Sequence, residues 1–196
     1  MPPMPAVTKA LILACVGFFC AQLLLPPWLD GLLALWPLAS GQFLPWQLVS
    51  YALLHGDMMH LFFNMLGLWM FGSEIERLWG PRRYAQFIAA SVLSAGLVQL
   101  LWSSLVGTLA PTVGASGALF GLLLAFGMLF PNRTIMPLFP PIPMKAKVFV
   151  AVFGGLELLF GLSGVSGVAH FAHLGGMLGG FLLIQYWRGR PPFGRR

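Results

Sequence analysis

Four side chains stand out in a chain with little other polar character: His60, Asn64, Ser116 and His173. A serine hydroxyl is a weak nucleophile until a base within hydrogen-bond reach takes its proton. His173 can be that base toward Ser116. The oxyanion that forms when a hydroxyl attacks a carbonyl needs donors already in place. The Asn64 amide, the His60 imidazole and the free backbone N–H groups at the start of a helix near Ser116 are the candidates. His60 and Asn64 are four residues apart, which puts them on one face of a helix. Asp57 is a fitting N-cap for that helix. The chemistry that suits these types and spacings is acyl transfer.

The elements that must carry these groups are membrane spans. The 196 residues are 58% hydrophobic and 8% charged, where a soluble domain carries about a quarter charged residues. So few charges cannot cover a water-facing surface. That excludes a soluble globular enzyme, a disordered tail and a nucleic-acid module. A spanning helix needs roughly 17–25 mostly apolar residues, and six stretches qualify as candidates. They run over about 8–25, ended by Pro26-Pro27; 58–79, stopped by Gly80-Pro81; 84–106; from after Pro111-Thr112 to Phe130; 146–162; and 168–187. The segment 28–55 is apolar and aromatic but broken by Pro37, Gly41 and Pro45. It reads as a loop in the interface, with Trp28, Trp36 and Trp46 at headgroup level.

Cytoplasmic loops collect Lys and Arg. With six spans and both termini cytoplasmic, Lys9, the Arg77/Arg82/Arg83 turn, the Arg133/Lys145/Lys147 connection and the tail of Arg188, Arg190, Arg195 and Arg196 all lie inside. These are all 11 basic residues of the chain, and the three outer connections hold none. The net charge of +6 is then a topology signal facing anionic lipid, and no nucleic-acid partner is needed. A cleavable signal peptide fits the first span less well, because the run is long and no small-x-small cleavage site follows. The chain reads as one domain over 1–196, an all-α membrane protein with no repeat or linker. The tails are too short for a further soluble domain, and transit-peptide features are absent, so the expected location is a bacterial inner membrane.

This topology starts spans two, four and six at the outer surface. At about 1.5 Å per residue, His60, Asn64, Ser116 and His173 all lie within roughly 10 Å of that surface. A pair of groups on two helices needs close backbones. Gly117 with Gly121, Gly175 with Gly179, and Gly176 with Gly180 form small-xxx-small faces that permit close approach in lipid. An acid to complete a triad is missing on this side. Asp30 and Asp57 are the outer carboxylates, and neither neighbours His173 in sequence. The expectation is a Ser116–His173 dyad with modest turnover.

The remaining polar groups carry no assigned chemistry. His55 sits at the membrane edge, and His170 lies one turn before His173 in a supporting position. Glu74, Glu76 and Arg77 form a polar network at the inner end of span two. Glu157 lies deep in span five without an obvious partner. Cys15 and Cys20 read as free, lipid-embedded thiols. A metal reading, with His60 and His173 or His170 and His173 as ligands, lacks an HExxH motif or a carboxylate cluster. No cofactor or metal is expected.

The sequence resembles the rhomboid family of intramembrane serine proteases. The matching blocks are His55-Gly-Asp-Met-Met-His60-Leu-Phe-Phe-Asn64, Gly114-Ala-Ser116-Gly-Ala-Leu-Phe-Gly121 and Ala172-His173-Leu-Gly-Gly176-Met-Leu-Gly-Gly180. The stretch from Phe71-Gly72 through Glu76 to Gly80, with Arg82-Arg83 after it, also resembles the end of the family's second helix. The resemblance covers about residues 46–185. It implies six helices around a short fourth one, with Ser116 as nucleophile and His173 as base. His60 and Asn64 would be oxyanion donors, with the backbone around Gly114 and Ser116 in support. Substrates would be single-span membrane proteins cut in or beside the span. The first outer loop would lie partly in the bilayer, and residues 161–167 would cap the site. One position departs from the family: Trp46 is followed by Gln47, where an arginine often ties down the first loop.

Overall fold

The computed structural model describes residues 3–25, 28–137, 141–164 and 167–192. Pro26-Pro27, Val165 and Ser166 of the expected cap, and Arg195 and Arg196 of the basic tail lie outside the described residues. The first helix, α1 (Ala6–Leu24), has no capping side chain of its own. Glu76 serves it from another helix. Its carboxylate accepts the Val7 N–H at 2.9 Å, the Thr8 N–H at 2.7 Å and the Thr8 hydroxyl at 2.7 Å. A carboxylate at a helix N-terminus satisfies orphan donors and complements the helix dipole. Glu74 pairs with Arg133, and the Arg77 guanidinium donates to the Pro3 carbonyl. The three residues expected to form a polar network here are each engaged with a separate partner from another segment.

The interrupted loop forms short helices, α2 (Trp28–Leu33) and α3 (Gln47–Ser50), with 3-10 turns at Leu38–Ser40 and Tyr51–Leu53. Gln47 is fully buried. Its Oε1 accepts the N–H groups of Trp36 and Leu44 at 3.2 and 3.1 Å. Its Nε2 donates to the carbonyls of Gly31, Leu32 and Gln42. The neutral amide thus ties down the loop where the expected arginine anchor is missing.

The second candidate span begins as α4 (Met58–Gly67), with the Asp57 side chain accepting the His60 N–H at its start. It continues through a wider π turn at Leu68–Gly72 into α5 (Ser73–Val106). Gly80, at φ 77° and ψ 164°, breaks the helical path before Pro81. That kink divides the second and third candidate spans where the Gly-Pro pair suggests, and the second limb resumes at once instead of at Tyr84.

The next helix, α6 (Ser116–Leu129), starts later than the Pro111-Thr112 signal implies. Residues 111–114 stay outside the helix because they are held by the loop. Leu35 and Thr112 exchange backbone hydrogen bonds of 3.0 Å, and the Gly114 N–H donates to the Tyr51 carbonyl at 2.9 Å. A short antiparallel hairpin follows, β1 (Thr134–Ile135) with β2 (Met144–Lys145). It is an element that an all-α reading does not contain. Then come α7 (Ala146–Leu162) and α8 (His170–Trp187).

Most of the described chain is helical, and α8 packs against α5, α6 and α7. Two helical stretches, Ala6–Leu24 and Met58–Val106, are long and apolar enough to cross a membrane by length and composition. Large apolar side chains point outward along the rim, among them Leu13 and Leu24 of α1, Leu101 and Leu105 of α5, and Leu159 and Leu162 of α7. Cys15 departs from the lipid-embedded expectation: it is buried against the protein, while Cys20 is exposed.

Candidate active site

The close approach of α6 and α8 is set by glycines. A Cβ on Gly176 would lie 1.8 Å from the Gly117 carbonyl oxygen, and one on Gly121 would lie 3.0 Å from the Gly176 carbonyl oxygen. Gly175, Gly179 and Gly180 face α5 instead, against Ala95, Ser94 and Phe87 respectively. One small-residue face of α8 therefore meets α6 and another meets α5.

This packing brings Ser116 and His173 together. Ser116 Oγ and His173 Nε2 are 2.7 Å apart. The His173 ring stacks on Phe120, centroids 4.3 Å apart and planes 8° from parallel, which fixes the plane of the imidazole. Ser116 opens α6 with no capping side chain, so the first-turn N–H groups remain donors without helical partners.

His60 closes the other side. Its Nδ1 accepts the Gly56 N–H at 3.4 Å, which leaves Nε2 to carry the proton. Gly114 stands between His60 and Ser116. A Cβ there would be 2.7 Å from His60 Nε2 and 3.7 Å from Ser116 Oγ. Its φ of +123° is a conformation that side chains rarely adopt. Gly114 thus gives room for His60 Nε2 and Ser116 Oγ to face a shared space. Asn64 is 3% exposed, with its Nδ2 donating to the His60 carbonyl at 2.8 Å and its Oδ1 without a partner among the described residues. Its amide is held within α4, one turn from His60. His55 packs edge-on to His60, with ring centroids 5.1 Å apart. Burial, followed by the neighbouring His60, pushes the His55 imidazole down to about 4, so it is neutral at physiological pH.

A cavity of about 810 Å³ opens onto this group, with His60, Ser116, His170 and His173 in its lining together with Trp102 and Gln99. It provides space for a peptide strand and water beside the hydroxyl.

Sequence reasoning missed Glu157. The structure supplies the partners that the sequence does not name: Oε2 is 2.6 Å from His170 Nδ1 and 2.9 Å from His173 Nδ1. The signal was its cost, since a carboxylate in an apolar span is functional or partnered by default. The carboxylate that the metal reading lacked is thus beside His170 and His173, and the three ligand atoms lie within 4.8 Å of one another. Tetrahedral ligands at about 2.0–2.1 Å from a zinc ion sit about 3.3 Å apart. The observed separations of 2.6 and 2.9 Å are hydrogen-bond lengths instead.

Comparison with known proteins matches residues 42–190 to the family described as Rhomboid domain. The chain is 33% identical over 146 residues to Rhomboid protein 1, mitochondrial, of Saccharomyces cerevisiae, covering 71% of this chain and 41% of the relative. It is 31% identical over 144 residues to Rhomboid protease GluP of Bacillus subtilis, covering 74% of this chain and 26% of that protein. Rhomboid protease GlpG of Yersinia pestis is 28% identical over 185 residues, covering 92% of this chain and 62% of that protein. The chain spans about two fifths of the yeast relative and a quarter of the Bacillus one.

Proposed function

The chain belongs to the rhomboid family, and on that footing we propose that it is an intramembrane serine endopeptidase. The observation that carries the reading is the 2.7 Å contact between His173 Nε2 and Ser116 Oγ at the edge of a cavity. His173 takes the hydroxyl proton as Ser116 Oγ attacks the scissile carbonyl. It then gives that proton to the departing amine, leaving an acyl-enzyme on Ser116. Water activated by the same imidazole releases the new carboxylate and restores the hydroxyl. The N–H of Ser116, the His60 Nε2–H and the Asn64 amide stabilise the oxyanion in both steps. Asn64 reaches it by turning its Nδ2 from the His60 carbonyl.

The substrates are transmembrane proteins cut in or beside a span, where small residues let the helix unwind. Six spans with both termini cytoplasmic and the site near the outer leaflet fit the basic-residue pattern. The expected setting is the lipid bilayer of a bacterial inner membrane, with the whole chain acting as a single rhomboid-like domain. A kinked pair of helices and four shorter ones supply those spans.

The test is a fluorophosphonate label and a single-span reporter substrate. Wild-type protein is labelled at Ser116 and cleaves the reporter. Ser116→Ala does neither, and His173→Ala has essentially no activity. Asn64→Ala turns over roughly 10²–10³ more slowly. Labelling or cleavage that persists in Ser116→Ala overturns the mechanism.

A further inference from the structure

Glu157 takes no part in the scheme above, yet it is the carboxylate nearest the general base. Ser116 approaches the His173 ring at Nε2, at 2.7 Å. Glu157 Oε2 approaches the other nitrogen, Nδ1, at 2.9 Å. That Nδ1 is buried and has no other hydrogen-bond partner among the described residues. His170 Nδ1 contacts the same oxygen at 2.6 Å, which holds the carboxylate in place. The side chains of His170, His173 and Glu157 are 7%, 10% and 13% exposed, so little water competes for these contacts.

Building on the protease reading, we propose that Glu157 is a positioning residue that turns the Ser116–His173 pair into a triad, its acid delivered from α7. Its Oε2 accepts the Nδ1–H of His173. That fixes the tautomer with a bare Nε2 facing Ser116. When His173 takes the serine proton, the ring becomes an imidazolium, and the carboxylate beside it offsets the new charge. No proton passes to Glu157. The Nδ1–H is not yet aimed squarely at Oε2, since the 2.9 Å contact is not aligned as a hydrogen bond. A small rotation of the carboxylate aligns it, and catalytic hydrogen bonds in unliganded sites commonly tighten once substrate is bound. Phe120 keeps the ring plane fixed during that adjustment. His170 has a different part: it donates to the acid and does not touch Ser116.

This role separates from a purely structural one. Glu157→Gln keeps the shape and loses the charge. Its kcat for the reporter falls roughly 10²–10⁴-fold, while KM stays within about twofold. Glu157→Asp recovers part of the loss. In protein carrying ¹⁵N-labelled histidine, wild-type His173 shows the Nδ1-protonated tautomer, and Glu157→Gln shows a mixture. Wild-type kcat in Glu157→Gln overturns the proposal. So does a wild-type spectrum with His173 protonated at Nε2, which decides the matter even where the variant does not fold. Stoichiometric zinc in wild-type protein that is lost in Glu157→Gln also overturns it, in favour of a metal site. Ser116→Ala is run in parallel. If that variant still cleaves, the protease reading fails; if it is inactive while Glu157→Gln is normal, only the role of Glu157 fails.

Discussion

Replacing Gly176 by alanine tests whether the α6–α8 contact sets the catalytic geometry. The new methyl would begin 1.8 Å from the Gly117 carbonyl oxygen, a backbone atom that cannot swing aside, where ordinary contact begins near 3.4 Å. The helices must separate locally by about 1.6 Å. Gly176 is three residues after His173, and Gly117 is the residue after Ser116, so the separation falls on the contact between Ser116 and His173. A 2.7 Å contact stretched by that amount passes out of hydrogen-bond range. A misplacement of about 1 Å costs on the order of 10²-fold in rate, so kcat for reporter cleavage is expected to fall 10²–10³-fold. Overpacking costs about 1–3 kcal/mol of stability, and the melting temperature in detergent falls accordingly. Fluorophosphonate labelling slows in step with cleavage, because it needs the activated serine but no peptide. Gly155→Ala on α7 is the control: a Cβ there meets nothing within 4 Å, and activity should stay within about twofold. Near-normal labelling and cleavage in Gly176→Ala would refute the claim that this glycine contact holds Ser116 against His173.

Three further perturbations follow from the structure. Gly114→Ala places a methyl 2.7 Å from His60 Nε2 at a φ of +123°; turnover should drop at least about 10²-fold, and a rate within twofold of wild type would show that the gap between His60 and Ser116 is not needed. Gln47→Ala removes a fully buried side chain and strips partners from the part-buried backbone groups of Trp36, Leu44 and Gln42; the expected loss is about 3 kcal/mol, measured by denaturation in mixed micelles, and unchanged stability would remove Gln47 as the loop anchor. Glu76→Gln removes the charge from the N-terminus of α1, where both carboxylate oxygens are used; destabilisation of about 1–2 kcal/mol should appear as faster proteolysis at the start of α1, and equal digestion rates would argue against this cap.

Signals that live within one helix were readable in advance, and contacts between distant segments were not. Asp57 caps α4 because a cap and the N–H that it accepts are three residues apart. Gly80-Pro81 marks the break in α5 because the residues that forbid helix are adjacent in the chain. The glycine periodicity of α8 was visible, but not how its faces divide, since Gly176 meets α6 while Gly175 and Gly179 meet α5. Gln47 illustrates the limit further. Residue type alone points to a missing charge, and only the fold shows five backbone groups converging on one neutral amide. The first residues before α6 show the same limit: Pro111-Thr112 marks a helix entry nearby, but only the fold shows the backbone bridge from Thr112 to Leu35 that delays the helix to Ser116.

Glu157 shows why the hardest part of the site was hidden. Its position is unremarkable by periodicity, and it lies 16 positions before His173 in the sequence. What marked it was energetic. An ionisable group in an apolar helix costs several kcal/mol unless another group compensates, so its presence required a partner that spacing could not name. The nearest carboxylates by topology were Asp30 and Asp57, but Asp30 accepts from Gln22 and Asp57 caps α4, so both are already engaged. Glu157 instead faces two imidazoles that no other acid reaches among the described residues. A buried carboxylate and a buried imidazole each lower the cost of the other, and that mutual need explains how α7 can carry an acid through apolar surroundings. The same argument sets the order in which the groups should fail. Removing His170 leaves the carboxylate its contact with His173, whereas removing Glu157 leaves two buried ring nitrogens without an acceptor. Glu157→Ala should therefore lose more stability than His170→Ala, and the opposite order of melting temperatures would mean that the carboxylate is held chiefly by His170.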